Sequence, residues 1–373
     1  MPPLVRPLGI ALCAGLLSLF VFSGHGLAAS PMPDASGTVS DDTGSITVSA
    51  GAKYLMPQQY KGSDMIYWGV GVKIADTNIS RPDAMFAPSV SLAAERKTSL
   101  ELAGLSTIRL VGEFSYVGGS ARSSGLVSPG AVNTIIFISV DPAYNWIGGI
   151  APIAGGSATT RVSIALDNFD LRLGLEGDGS RWQSGEGLLT ATPVFGVGLY
   201  AATQRYKVST RLEAVSNSDT YNMSETMRTT DIGPELRAGI KAELPGGATL
   251  SAMASAALLV GWADLGASQV LNAVAPNWDP RKRSPTYSAE QSENEVLVSG
   301  LFGLTLRGDM PVAEKCTLGL EASGRIWTSR PTIDNPTSLG GTGVVATGTN
   351  EGVRIGHDSA SELGAALRLN YTF

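Results

Sequence analysis

The sequence predicts an all-β fold, an antiparallel up-and-down transmembrane β-barrel, on three observations. Segments of about ten residues alternate apolar with polar or small side chains, the period of a strand whose two faces meet different surroundings. After residue 29 no apolar run is long enough for a helical span, so a membrane chain must close its sheet and leave no backbone group unpaired in lipid. The last segment, "ELGAALRLNYTF", sets Leu363, Ala365, Leu367, Leu369, Tyr371 and Phe373 on one face and Glu362, Gly364, Ala366, Arg368, Asn370 and Thr372 on the other. An aromatic beside a free carboxylate suits a membrane rim better than a soluble core. A secreted sandwich would also alternate; a solenoid is disfavoured because no short fixed repeat is visible.

Taken in order, residues 1–29 read as a secretory signal peptide: Arg6 is basic, Leu8 to Phe22 is apolar, and the small residues around Ala28 and Ala29 fit a cleavage site. The apolar run is short for a bilayer anchor. Cys13 follows Leu12 rather than a small residue, so lipidation is not expected. Cleavage would leave Cys316 without an intrachain disulfide partner. It would also take the formal charge from -6 to -7, since Arg6 leaves with no acidic residue, and that mild acidity argues against a nucleic-acid partner. Residues 30–44 have the composition of a flexible periplasmic lead-in, and one barrel domain is expected over 45–373.

The strands follow. "SITVSAGAKYLM" sets Ile46, Val48, Ala50, Ala52 and Tyr54 against Thr47, Ser49, Gly51 and Lys53, and "NFDLRLGLEG" sets Phe169, Leu171, Leu173 and Leu175 against Asp170, Arg172, Gly174 and Glu176. "PELRAGIKAEL" and "TLSAMASAALLVGW" repeat the pattern on either side of the turn at Pro245 to Ala248, and "VLVSGLFGLTLRGD" and "TLGLEASGRIW" repeat it around "MPVAEKC". Short connections there, against long polar ones at Val117 to Thr160, Ala263 to Glu293 and Ser329 to Asp358, match short periplasmic turns and long extracellular loops. "MFAPSVSLAAE" and "TIRLVGEFSY" supply two early strands. "MIYWGVGVKIA" is then one too many for a simple meander, either an outside hairpin arm or part of an extra pair, and "NTIIFISV" is a loop strand or an infolded segment. Ten strands are favoured over twelve.

Charges on the polar faces are expected to point inward, because each would cost up to a few kcal/mol on the lipid face. They are Lys53, Arg109, Asp170, Arg172, Glu176, Glu235, Arg237, Lys241, Glu243, Arg307, Glu321, Arg325 and Arg368. Two uses are open: paired charges filling a narrow lumen, or rows lining an aqueous path.

The stretches "FDLRLGLEGD", "PVFGVGLYAATQRYKVS", "IGPELRAGIKAELPGGATLSAMASAALLVG" and "NEVLVSGLFGLTL" resemble the Legionella-type pore-forming outer-membrane protein family, over most of Phe169 to Phe373. That family usually opens on a Trp-rich strand, where this chain has "AKYLMP". "YKGSD", at Tyr60 to Asp64, is similar to the MipA/OmpV-like barrels. The first resemblance implies a pore, the second an envelope scaffold. A terminal Phe373 with Tyr371 and Leu369 also resembles the signal by which outer-membrane barrels are recognised for assembly.

Chemistry is not expected. After the signal only His357 remains, in "RIGHDSAS", and its neighbours Asp358, Ser359 and Ser361 are too close in sequence to read as a triad. One His and one Cys give no metal-ligand spacing, and no cofactor is implied. The expectation is an outer-membrane porin-like channel for passive diffusion of small hydrophilic solutes or ions, not an enzyme. Its expected partners are membrane lipid, the barrel-assembly machinery and its solutes. The alternative is a non-conducting structural or adhesive barrel working through its loops.

Overall fold

A computed structural model describes residues 44–56, 61–62, 65–69, 72–77, 84–102, 104–127, 134–137, 148–150, 158–183, 189–215, 219–272, 286–335 and 352–373. The expected signal peptide and nearly all of the lead-in lie outside the described residues. Ten strands make the main sheet: β1 (Gly44–Met56), β2 (Met85–Lys97), β3 (Thr107–Val127), β4 (Ala158–Asp178), β5 (Thr190–Ala214), β6 (Thr220–Glu243), β7 (Thr249–Asn272), β8 (Thr286–Ala313), β9 (Cys316–Asn335) and β10 (Arg354–Thr372). Each pairs antiparallel with the next, and β10 pairs with β1 from Ser45↔Thr372 to Tyr54↔Leu363 and beyond. The ring is therefore closed, as a sheet without edges in lipid has to be. The two-residue strands Lys61–Gly62 and Trp182–Gln183 add to β9 and β5.

The extra early segment does not enter the ring. Met65–Gly69 and Val72–Thr77 form a hairpin that joins Thr134–Phe137 and Gly148–Ile150 in a separate four-stranded sheet. Of the two readings open for "MIYWGVGVKIA", the hairpin arm is the one found, and "NTIIFISV" supplies a loop strand.

One end of the barrel carries tight connections. Between β6 and β7 the Leu244 N–H donates to the Ala248 carbonyl at 2.8 Å, and Gly246 and Gly247 take the turn at φ of 86° and 82°, where a Cβ would be strained. At the same end Phe373 and Gly44 exchange backbone hydrogen bonds at 3.0 and 3.4 Å. Phe373, Tyr371 and Leu369 lie half exposed on the outer wall.

The strands are much longer than the ten residues expected, and the boundaries of the long loops shift accordingly: β7 runs on to Asn272, β8 starts at Thr286, β9 reaches Asn335 and β3 reaches Val127. The physical reason is an inversion of polarity along each strand. On the first part of β5, Phe195, Val197 and Leu199 are exposed on the outer wall; further on, the same wall carries Arg205, Lys207, Ser209, Arg211 and Glu213. The inner set changes in the opposite sense, to buried Tyr206, Val208, Leu212 and Ala214. On β4, Leu175, Leu173, Leu171 and Phe169 give way to Asp167, Ser163 and Arg161 outside, while Leu166, Ile164 and Val162 turn inside. Strands β6 and β7 change at Ile232 to Thr230 and at Trp262 to Asp264. The row Tyr116, Phe169, Thr203, Thr230 and Trp262, in register across β3 to β7, marks the level of the change. Aromatic residues belong at such a lipid–water boundary. Below it the wall is lipid-like and the interior polar. Above it the barrel is built like a water-soluble protein, with Leu212, Tyr221, Met223, Leu265, Leu271 and Ile333 in one buried apolar cluster.

Candidate functional site: charges across the lumen

The inward side chains of the lower half meet one another. Asp170 on β4 is the centre. Its Oδ2 accepts from Arg325 Nη1 at 2.6 Å and from the Ser115 hydroxyl at 3.1 Å; its Oδ1 accepts from the Tyr200 hydroxyl at 2.8 Å and Asn168 Nδ2 at 3.0 Å. Arg325 is on β9. In a ring of ten, β4 and β9 are five strands apart, so this ion pair spans the lumen between opposite walls. Both side chains are buried, at 3% and 8% exposure. Arg325 Nε also lies 3.8 Å from Glu362, which binds Lys53 at 2.6 Å. Two cations and two anions thus neutralise one another in a connected chain.

A second group adjoins it. Arg172 lies 3.5 Å from Glu113 and 3.3 Å from Glu235, with its guanidinium 5.4 Å from the centre of the Tyr200 ring. The Arg172 Nε and Glu235 Oε1 atoms are an ion pair without hydrogen-bond alignment. Arg237 reaches Glu176 at 2.8 Å and Glu235 at 3.1 Å. Nearer the end with the tight turns, Arg307 pairs with Glu321 at 2.9 Å, and Arg368 with Asp309 at 3.1 Å and Glu321 at 3.5 Å. Arg109 makes a two-pronged contact with Asp178, at 2.7 and 2.9 Å, and lies 3.7 Å from Glu95. Lys241 and Glu243 are 3.6 Å apart and more exposed.

The thirteen charges named from the sequence therefore all lie opposite the apolar outer set of their strands, and each has a partner of opposite sign. Glu113, Asp178, Asp309 and Glu362 complete the pairs and were not among them. The signal for these four was in the alternation itself, because Glu113 shares its face with Arg109, and Asp309 with Arg307. The space left among Lys53, Glu113, Ser115, Glu321 and Arg325 is about 30 Å³, the size of one water. One step further along the strands, Tyr200, Leu259, Leu301 and Trp327 pack into a second apolar cluster inside the ring. Arg330 stacks 4.4 Å from the Trp327 ring centre, beyond an irregularity in the β9–β10 ladder. His357, expected in a loop, lies within β10, where Nε2 is 3.2 Å from Glu295.

No family model and no curated relative matches this chain, so the two resemblances gain no support. Among solved structures, it is similar to the outer membrane protease OmpT from Escherichia coli at 12% identity, over 91% of this chain and 99% of that one, with a TM-score of 0.34. The translocator domain of the autotransporter NalP from Neisseria meningitidis matches at 12% identity over 99% and 98%, with a TM-score of 0.31. An anion-selective porin from Comamonas acidovorans matches at 10% identity over 89% and 98%, with a TM-score of 0.16. These likenesses carry no activity across.

Proposed function

We propose that this chain is an outer-membrane barrel, porin-like in architecture but closed to solutes at rest, which anchors a rigid β extension above the bilayer for contacts outside the cell. The observation that carries the reading is the Asp170–Arg325 bridge between opposite walls. Only two side chains span the lumen there, and every polar atom that they satisfy would have to be rehydrated for a solute to pass. The buried cluster above narrows the interior a second time, with Glu225 and Gln269 enclosed among its apolar side chains. Membrane placement is supported by the exposed apolar wall, which includes Leu236, Leu258, Phe302, Leu320 and Leu367, and by the aromatic row at its edge. The reading includes no covalent chemistry and no cofactor.

Passive diffusion of small hydrophilic solutes is the second reading, favoured by the polar lower interior with its balanced charges. Planar-bilayer recording on the chain refolded from Ser30 separates the two. The closed barrel gives a folded, heat-modifiable protein without conductance steps. Double replacement of Asp170 and Arg325 by Gly removes the lower constriction alone and leaves the upper cluster in place, so it should still give no conductance steps. Reproducible steps from the wild-type chain would overturn the closed reading, and a shift in ion selectivity with Arg237→Glu would locate that residue in the path.

A further inference from the structure

Above the aromatic row, the outer wall of β3 to β7 holds a concavity of about 720 Å³. Four cations line it, Arg122, Arg161, Lys207 and Arg211, and no acidic side chain does. Arg122, Arg161 and Lys207 have no ion pair among the described residues, and Arg211 has only Glu213 at 3.4 Å. Two of the cations, Arg161 and Arg211, are direct cross-strand partners on one face, an arrangement that repels in the free protein. Folding gains nothing from this pairing; an anion held between the two would. Between the cations runs a row of hydroxyls in register, Ser163, Ser209, Ser224 and Ser268 on four successive strands. Their small side chains make the floor of the trough, and their oxygens both donate and accept.

We infer that this trough binds the phosphorylated sugar headgroup of a glycolipid of the outer leaflet, an inference that rests on the outer-membrane reading above. Its orientation favours a lipid: the trough opens sideways from the barrel wall, toward molecules standing next to it in the membrane plane. Its height narrows the class. Lys207 and Arg211 are four and eight residues beyond Thr203, which at about 3.3 Å per residue and a tilt near 40° puts them roughly 10 to 20 Å above the aromatic row. A phospholipid headgroup layer is only about 5 to 8 Å deep. The phosphate must therefore be carried on a taller, sugar-built headgroup. At phospholipid height the wall is balanced instead, since Arg205 and Arg228 are flanked in register by Asp167 and Asp264. Guanidinium groups suit phosphate oxygens in two-pronged contacts, and the serines suit sugar hydroxyls.

The test uses the chain refolded from Ser30 into phosphatidylcholine vesicles, with heat-modifiable migration as proof of a folded barrel. Lipopolysaccharide with intact core phosphates is titrated against the same material after dephosphorylation. Expected is saturable binding that needs the phosphates, and that weakens roughly 100-fold when Arg161 and Arg211 are both changed to Gln, the scale of two charge-assisted hydrogen bonds. Lys207→Gln with Arg122→Gln serves as a second, independent pair with a similar expected loss. Arg205→Gln with Arg228→Gln, outside the trough, leaves binding within about twofold. Equal binding of the dephosphorylated material, or unchanged binding by both trough variants, would overturn the assignment alone. Equally tight binding of the delipidated core oligosaccharide would overturn the lipid source. A chain that never inserts would sink the outer-membrane reading and this inference with it.

Discussion

Replacing Arg325 by Met removes the central cation of the lumen and leaves an unbranched side chain to fill part of its volume. Asp170 then keeps three neutral donors, Tyr200, Ser115 and Asn168, but loses the guanidinium held at 2.6 Å. Glu362 keeps Lys53 at 2.6 Å, so one carboxylate is stranded and not two. Breaking a buried pair costs about 3 to 5 kcal/mol. The three remaining donors on Asp170 put the expected loss at the lower end, about 3 kcal/mol, a factor of roughly 150 in the folding equilibrium. Adding Asp170→Asn to Arg325→Met removes the stranded charge and keeps a partner for the Tyr200 hydroxyl. The double variant should regain stability and lie within about 1 to 2 kcal/mol of the wild type. Reversible urea unfolding in vesicles, followed by tryptophan fluorescence and checked by heat-modifiable mobility, measures both. If Arg325→Met costs less than about 0.5 kcal/mol, or if the two substitutions simply add, the pair is screened by water. The lumen would then be wet at this level, and the Asp170–Arg325 bridge could no longer carry the closed reading.

Further expectations follow from the same geometry. Tyr200→Phe removes one donor from the Asp170 carboxylate and should cost about 1.5 to 3 kcal/mol in the same unfolding assay. Leu236→Lys, on the exposed apolar wall of β6, should cost about 2 to 4 kcal/mol, whereas Thr226→Lys, ten residues back on the same face, should be close to neutral; similar costs at both positions would mean that the polarity change does not mark the bilayer edge. Gly233→Ala would drive a Cβ into the Leu258 carbonyl oxygen, so this small change should cost about 1 to 3 kcal/mol through backbone displacement on β6 and β7, read as a lowered urea midpoint. Arg161→Gln relieves the repulsion from Arg211 and, without added glycolipid, should leave stability unchanged or raise it by a few tenths of a kcal/mol; a clear loss would mean that Arg161 holds the sheet together.

The lower half of the barrel was legible in the sequence because it obeys one rule throughout. Leu171, Leu173 and Leu175 alternate with Asp170, Arg172 and Glu176, and the same phase continues in "PELRAGIKAEL" and in "ELGAALRLNYTF", so the ring and its inward charges could be read from period two. The upper half kept the period and reversed the phase. In "WADLGASQVLN" the odd positions Ala263, Leu265, Ala267, Gln269 and Leu271 face in while Asp264, Gly266 and Ser268 face out, which from sequence looks like a polar loop starting at Ala263. Which charges meet across the ring was not legible at all. Asp170 and Arg325 are 155 positions apart, and only the closure of the ring makes them partners.

Strand length and the proposed closure of the lumen have a common cause. A wall that only crosses a bilayer needs about 9 to 11 residues per strand, while β5, β6 and β7 have 25, 24 and 24. The surplus stands in water, where an exposed apolar wall would be penalised, so its apolar residues turn inward. In a ring of ten strands those residues crowd a narrow interior, and Leu55 on β1, Leu212 on β5, Leu271 on β7 and Ile355 on β10 belong to one buried cluster. The charges below stand next to the apolar cluster of Tyr200, Leu259, Leu301 and Trp327 and face one another across a narrow ring, which is why each is paired and why the pairs are nearly balanced in sign. A barrel meant to pass solutes would leave its charges unpaired toward water along one path. Here the cations Arg122, Arg161 and Lys207, without an ion pair among the described residues, are on the outside wall above the polarity change, and contact chemistry is expected there.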